Sequence, residues 1–161
     1  KKKNISSHFV IDNDGTIYQL VDTQHIGWHA GNTRVNNASI GIDFSNAYYM
    51  KYQSFYRKKG FGPRPVITDS RIHGVKLGDH LGYYDVQLAA YKALVKCLAS
   101  HYSIELACPL DDDGNTSQRV DPTAAQGNFK GVVSHYHLTN RKIDCAGLDI
   151  NKLLREIEDG N

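Results

Sequence analysis

Ser7-His8-Phe9-Val10-Ile11-Asp12-Asn13-Asp14-Gly15-Thr16-Ile17-Tyr18-Gln19-Leu20 is the stretch whose reading decides the fold. His8 to Ile11 and Thr16 to Leu20 are strand-forming runs, and Asp14-Gly15 between them supplies the positive dihedral angles of a tight turn. The stretch therefore predicts a β-hairpin. Ser39-Ile40-Gly41-Ile42-Asp43-Phe44 predicts a further buried strand with a carboxylate near its end. The loop before it, Gly27-Trp28-His29-Ala30-Gly31-Asn32, carries glycines that permit close backbone approach. Gly131-Val132-Val133-Ser134 predicts one more strand, which delivers His135.

Two helices complete the frame. Val86 to Tyr102 follows a capping Asp85 and spaces Leu88, Tyr91, Leu94, Val95 and Leu98 along one stripe, so it packs on the sheet. Leu148 to Ile157 reads as a closing amphipathic helix. Residues 47–82 are rich in tyrosine, glycine and basic side chains and show no sustained period. They predict a long loop excursion over one face, used for substrate contact or as plain surface.

The 161 residues fit one domain, 1–161, with room for a real core. Hydrophobic content of 40% and charged content of 22% are those of an ordinary globular chain, and no apolar run reaches the roughly 20 residues of a membrane helix. Membrane insertion is not expected. The start, Lys1-Lys2-Lys3-Asn4, is basic but leads into no apolar signal core. A net charge of +2 from scattered cations gives no footprint for nucleic acid. Three cysteines, Cys97, Cys108 and Cys145, are too few for a disulfide framework, and Cys97 reads as a core residue of its helix.

Chemistry concentrates near the end of the chain. His135 closes an apolar run, and Cys145 follows ten residues later with Lys142 and Asp144 just before it. Imidazole and thiolate are zinc donors, and a catalytic zinc keeps a position open for water, so hydrolysis is the first reading. His137 is an alternate ligand to His135, and Asp144 an alternate oxygen ligand to Cys145. Lys142 is placed to stabilise an oxyanion. His25, His73, His80 and His101 read as surface or capping residues.

Four segments taken in order carry a resemblance: Ser7 to Asp22, Trp28-His29-Ala30-Gly31-Asn32, Asn37 to Asp43, and Val132-Val133-Ser134-His135 with Asp144-Cys145-Ala146-Gly147. Together they resemble the type 2 N-acetylmuramoyl-L-alanine amidases, relatives of the peptidoglycan recognition proteins, over nearly all the chain except 47–82 and 109–129. The resemblance implies an α/β fold with a central mixed β-sheet flanked by helices. It implies zinc-dependent cleavage of the amide between N-acetylmuramic acid and L-alanine, with peptidoglycan as partner. It also places the work outside the cytoplasmic membrane.

By position, the resemblance makes His135 a zinc ligand and Cys145 the next, a place some members fill with aspartate. Asp43 stands where members have the glutamate that serves as general base. His29 and Asn32 correspond to residues lining the muramyl-peptide groove. Lys142 corresponds to the lysine that steadies the tetrahedral intermediate, but it stands three residues before Cys145 where the family has two, which keeps Asp144 open as the ligand. The family's first zinc histidine lies on a strand well before Ser7-His8-Phe9, and nothing from Lys1 to Ser7 matches it. That ligand is expected from an upstream segment, with His8, His29, His137 and Asp144 as alternates. The competing readings are a peptidoglycan-binding module with an incomplete metal site and a structural zinc domain.

Overall fold

A computed structural model describes residues 5–160; the basic start at Lys1 to Asn4 lies outside the described residues. The hairpin forms as its sequence dictates. Strand β1 (Phe9–Ile11) pairs antiparallel with β2 (Ile17–Gln19), Val10 facing Tyr18. The turn closes with Asp12 N–H donating to the Thr16 carbonyl at 2.8 Å, and Gly15 takes φ +85°, where an L side chain would be strained.

On its other edge β1 pairs in parallel with β3 (Ile42–Phe44), so the three-stranded sheet is mixed, in the order β2-β1-β3. The connection between β1's hairpin and β3 includes a short helix, α1 (Thr33–Asn37). Alternation along the strands puts Phe9 and Ile11 into the core and leaves Asp43, on the opposite face of β3, exposed.

The core lies between this sheet and two helices. In α3 (Asp85–Tyr102) Tyr91, Leu94 and Val95 are buried, with Leu88 and Leu98 partly so. In α6 (Ile150–Glu158) the buried residues are Ile150, Leu153, Leu154 and Ile157. The two helices pack on one another, α3 packs also on β1, and Lys92 ties the helices with a 2.8 Å ion pair to Glu156. Asp85 is the first residue of α3 rather than its cap; the preceding Tyr84 N–H is received by the Gln87 side chain at 3.3 Å. Cys97 is exposed, not core, because it falls on the solvent side of α3, and all three cysteines are free.

Residues 47–82 are not a featureless loop. They hold a 3-10 turn (Met50–Tyr52), helix α2 (Gln53–Lys58), a two-stranded ladder of β4 (Val66–Ile67) with β7 (His80–Leu81), and a hairpin of β5 (Arg71–Ile72) with β6 (Val75–Lys76). The segment is riveted to the body by Arg64, only 2% exposed. Its guanidinium lies 4.4 Å from the rings of both Tyr56 and Tyr84 and donates to Gly82 O, Gln87 Oε1, Asn13 Oδ1 and Ser45 O. A buried cation without a carboxylate is tolerable here because carbonyl and amide oxygens and two ring faces replace its water.

Candidate active site

Where a strand was expected at Gly131 to Ser134, the chain forms no ladder, its Val132 N–H donating to Ala107 O at 2.8 Å, and His135 opens a short helix, α5 (His135–Leu138). The cause is local. Ser134 caps the helix, its N–H donating to His137 Nδ1 at 3.0 Å, which turns the chain before a ladder can form. His135 and His137 are therefore not on one side. Two residues apart on a helix, they point about 200° from one another.

His135 faces outward into a cluster of polar groups. Its Nδ1 lies 3.1 Å from Asp144 Oδ2, and its Nε2 2.9 Å from the His29 carbonyl. Lys142 Nζ stands 3.5 Å from the same Asp144 oxygen. Two groups of different chemistry thus converge on one exposed carboxylate. The hydrogen bond donated to Asp144 holds the His135 pKa above the ordinary imidazole value against the opposing effect of burial. Reciprocally, His135 and then Lys142 hold the Asp144 carboxyl below its usual range.

His29 is positioned by its own loop. The Asn36 side chain, buried, accepts from His29 N–H at 3.2 Å and Ala30 N–H at 2.8 Å, fixing the Trp28 to Ala30 backbone that carries the carbonyl used by His135. The His29 ring lies against Gly41 so closely that a Cβ there would stand 2.5 Å from its Cγ, which is why the Ile-Gly-Ile run needs glycine at that place. It meets His8 edge to face, ring centroids 5.8 Å apart. Burial, then the neighbouring His8 and His135, push the His29 pKa down.

The remaining expected residues are distributed as follows. His8 is 1% exposed and both its nitrogens are engaged, Nδ1 by Gly41 N–H at 2.9 Å and Nε2 by the His25 carbonyl at 3.0 Å. It fastens β1 to its neighbours and has no free lone pair. His137 is wholly buried and donates from Nε2 to Ser117 O at 2.7 Å. Asn32 caps α1 through Arg34 N–H at 3.0 Å and gives its amide to Ala125 O at 3.1 Å. Asp43 accepts from the Ser7 hydroxyl. It is close enough to His29 to raise that group's pKa slightly.

Cys145 turns the other way from Asp144. It packs against the apolar core, and burial pushes its thiol up to about 11. Its N–H donates to Ser134 Oγ at 2.6 Å, and that hydroxyl in turn donates to the Asp144 carbonyl, so Ser134 fixes the two residues on opposite sides of the chain.

Two things were not legible in the sequence. His80, set among surface residues, is 1% exposed and stacked on Tyr48 with centroids 4.7 Å apart. His73, at the tip of the β5–β6 hairpin with φ +54°, donates its backbone N–H to Gln118 O at 2.8 Å, and its Nε2 lies 3.1 Å from the Lys142 carbonyl. The 47–82 segment thus supports the Lys142 loop.

An imidazole nitrogen and a carboxylate oxygen are both zinc donors. At His135 and Asp144 the two stand 3.1 Å apart, hydrogen-bonded to one another, so the pair fits zinc in donor chemistry. Among the described residues no three histidine, cysteine or acidic side chains converge tightly enough to hold a metal by themselves.

Mixed sheet and flanking helices frame this polar cluster, and the sequence comparison supplies the class of protein, the peptidoglycan amidases. Residues 1–146 match the family model described as N-acetylmuramoyl-L-alanine amidase, and the chain belongs to that family. No protein of curated function matches it. Among solved structures it is similar to the N-acetylmuramyl-L-alanine amidase AmiD from E. coli, in complex with the substrate anhydro-N-acetylmuramic acid-L-Ala-D-gamma-Glu-L-Lys. The identity is 25% and the TM-score 0.42, over 65% of this chain and 37% of that one. The chain thus spans well under half the length of that relative.

Proposed function

We propose that this chain hydrolyses the amide between the lactyl group of N-acetylmuramic acid and L-alanine in peptidoglycan, outside the cytoplasmic membrane, with zinc held at His135 and Asp144. The observation that carries the reading is the convergence of His135 and Lys142 on Asp144, at 3.1 and 3.5 Å, in a chain of the amidase family. Asp144 takes the ligand place in preference to Cys145, because the carboxylate faces the imidazole while the thiol faces the core. His8 and His137 have both nitrogens spent, which leaves the third protein ligand to His29 or to a segment outside the described residues.

Bound there, zinc supplies Lewis acidity to the amide carbonyl and makes water a better acid. This chain's residues supply the rest. Asp43 takes the proton of the attacking water, whose oxygen adds to the lactyl carbonyl carbon; the C–N bond then breaks, and the proton passes to the departing amine of L-alanine. The Ser7 hydroxyl orients the Asp43 carboxylate for this step. The Lys142 ammonium stabilises the negative charge that develops on the carbonyl oxygen. Trp28, 48% exposed beside His29, and the His29 ring line the approach for the muramyl peptide.

The test is digestion of purified peptidoglycan, read by mass spectrometry for stem peptides with a free L-alanine amino terminus, alongside zinc content. Released peptides that vanish after chelation and return with zinc are expected. Unchanged release after chelation, or in Asp144→Ala, defeats the mechanism. A second reading, a peptidoglycan-binding module, is favoured by the lack of a three-ligand cluster among the described residues. It predicts that the protein pellets with peptidoglycan and releases nothing.

A further inference from the structure

Residues 44–68 contain no aspartate or glutamate, while Lys51, Arg57, Lys58 and Lys59 are all exposed. Among the described residues none of these four cations takes part in an ion pair. In the same short span Tyr49 is 60%, Phe55 48% and Tyr52 41% exposed, with Met50 and Phe61 close behind. Single exposed apolar residues are ordinary on a protein surface, but a cluster of large ones is not.

The cluster is presented on a fixed support. The inner side of α2 is Tyr56, 4% exposed, its hydroxyl receiving Ala47 N–H at 2.8 Å and its ring stacked on Arg64. That anchor turns Tyr52, Phe55 and Lys59 outward, at spacings of three and four residues that place them on one side of the helix. The cations lie among the rings. Lys51 Nζ is 5.1 Å from the Tyr52 centroid and 5.5 Å from that of Tyr49, and Lys59 Nζ is 6.0 Å from that of Phe55.

We infer that this outward face of residues 49–61 docks on the surface of an anionic lipid membrane. Aromatic and apolar side chains interleaved with lysine and arginine are the composition that partitions into the headgroup region: the rings enter the boundary layer while the cations meet lipid phosphates. Charge complementarity selects the occupant, since residues 49–61 bring four exposed cations to this face and no carboxylate. A glycan strand is a poorer match. The ring faces on which a pyranose would stack already carry lysine ammonium groups, and no acid of the segment is there to hold sugar hydroxyls. No helix of the described residues is long and apolar enough to cross a membrane, so the contact is one of surface adsorption.

Cosedimentation tests this, with vesicles of phosphatidylcholine alone and of phosphatidylcholine mixed with phosphatidylglycerol. The protein should pellet with the mixed vesicles only, and added salt should release it. Lys58→Gln with Lys59→Gln should lower the partition coefficient about 25-fold, roughly fivefold for each cation removed. Phe55→Ser should weaken binding too, with thermal melts of both variants matching the parent because every altered side chain is exposed. Equal pelleting with neutral vesicles, or none with anionic ones, overturns the inference. So does loss of pelleting with isolated peptidoglycan in these same variants, which would assign the face to the glycan. Peptidoglycan hydrolysis in solution is a separate readout, and its presence or absence leaves this test intact.

Discussion

The segment Ser134 to Gly147 has two sides that put the same kinds of side chain to opposite uses. Outward, His135, Lys142 and Asp144 spend their polar groups mainly on one another and remain open to solvent. Inward, Tyr136, His137 and Cys145 are held by neighbouring backbone and by the core. A histidine and a potential metal ligand occur on each side. Residue type alone therefore does not say which pair does chemistry; the partner of each nitrogen and oxygen does. An imidazole whose two nitrogens are both tied to buried backbone is a strut. One that faces a solvent-exposed carboxylate is available to a metal or a substrate.

The sharpest way to break this contrast is to alter Asp144 and Cys145 separately, since they are adjacent in sequence and opposite in direction. Asp144→Asn should abolish peptidoglycan hydrolysis and zinc retention while the melting temperature of the zinc-free protein changes little, because the carboxylate is exposed and its ion pairs are surface ones. Cys145→Ala should do the reverse. Its loss of packing costs about 1 kcal/mol, a drop of roughly 2–4 °C, with activity kept. Should Cys145→Ala lose zinc and activity while Asp144→Asn keeps both, the two sides have been assigned the wrong way round.

Lys142 comes next in expected size. Lys142→Met keeps the length of the stem and removes the charge, and hydrolysis should fall about 10²–10³-fold, as for loss of one oxyanion donor. The loss should appear in kcat with KM nearly unchanged, because the ammonium acts on charge that exists only in the transition state. A rise in KM alone would make Lys142 a substrate anchor and move it out of the chemical group.

How far the sequence reaches follows from how local each signal is. The β1–β2 hairpin, α3 and α6 were legible because a turn, an apolar period and a strand alternation are written within a few residues of themselves. The supposed strand at Gly131 to Ser134 was not, since its two valines look strand-like while Ser134 and His137 form a helix start that leaves them outside any ladder. Burial of Arg64 and His80 depends on Tyr56, Tyr84 and Tyr48, which reach them only through tertiary packing. His135, Lys142 and Asp43 could be singled out as candidates from their motifs, and the structure brings the first two together at Asp144. Choosing between Asp144 and Cys145 could not, because one loop bond decides which of two neighbours faces the imidazole. The lysine spacing was the only hint.

The smallest expected effect tests the inner side directly, through pH. Burial holds the His137 pKa below its ordinary value of 6.5, and the ring is neutral, accepting at Nδ1 from Ser134 N–H and donating from Nε2 to Ser117 O. In the unfolded chain the same imidazole takes up its proton near pH 6.5, and in the folded chain only at lower pH. Between those two values the unfolded state binds more protons, so folding stability falls as pH falls through that window. His135 runs the other way: its raised pKa in the zinc-free chain gives stability that is full below pH 6.5 and is lost as pH rises through the folded value. His137→Gln keeps an amide donor for Ser117 and removes the titration. In urea melts with chelator from about pH 7 down to about pH 5, the parent should lose more stability than His137→Gln, whose own baseline is lower by about 1–3 kcal/mol for the imperfectly satisfied buried groups. Parallel curves would mean that His137 takes up its proton in the folded chain as readily as in the unfolded one, and that the inner side of the segment is no neutral strut.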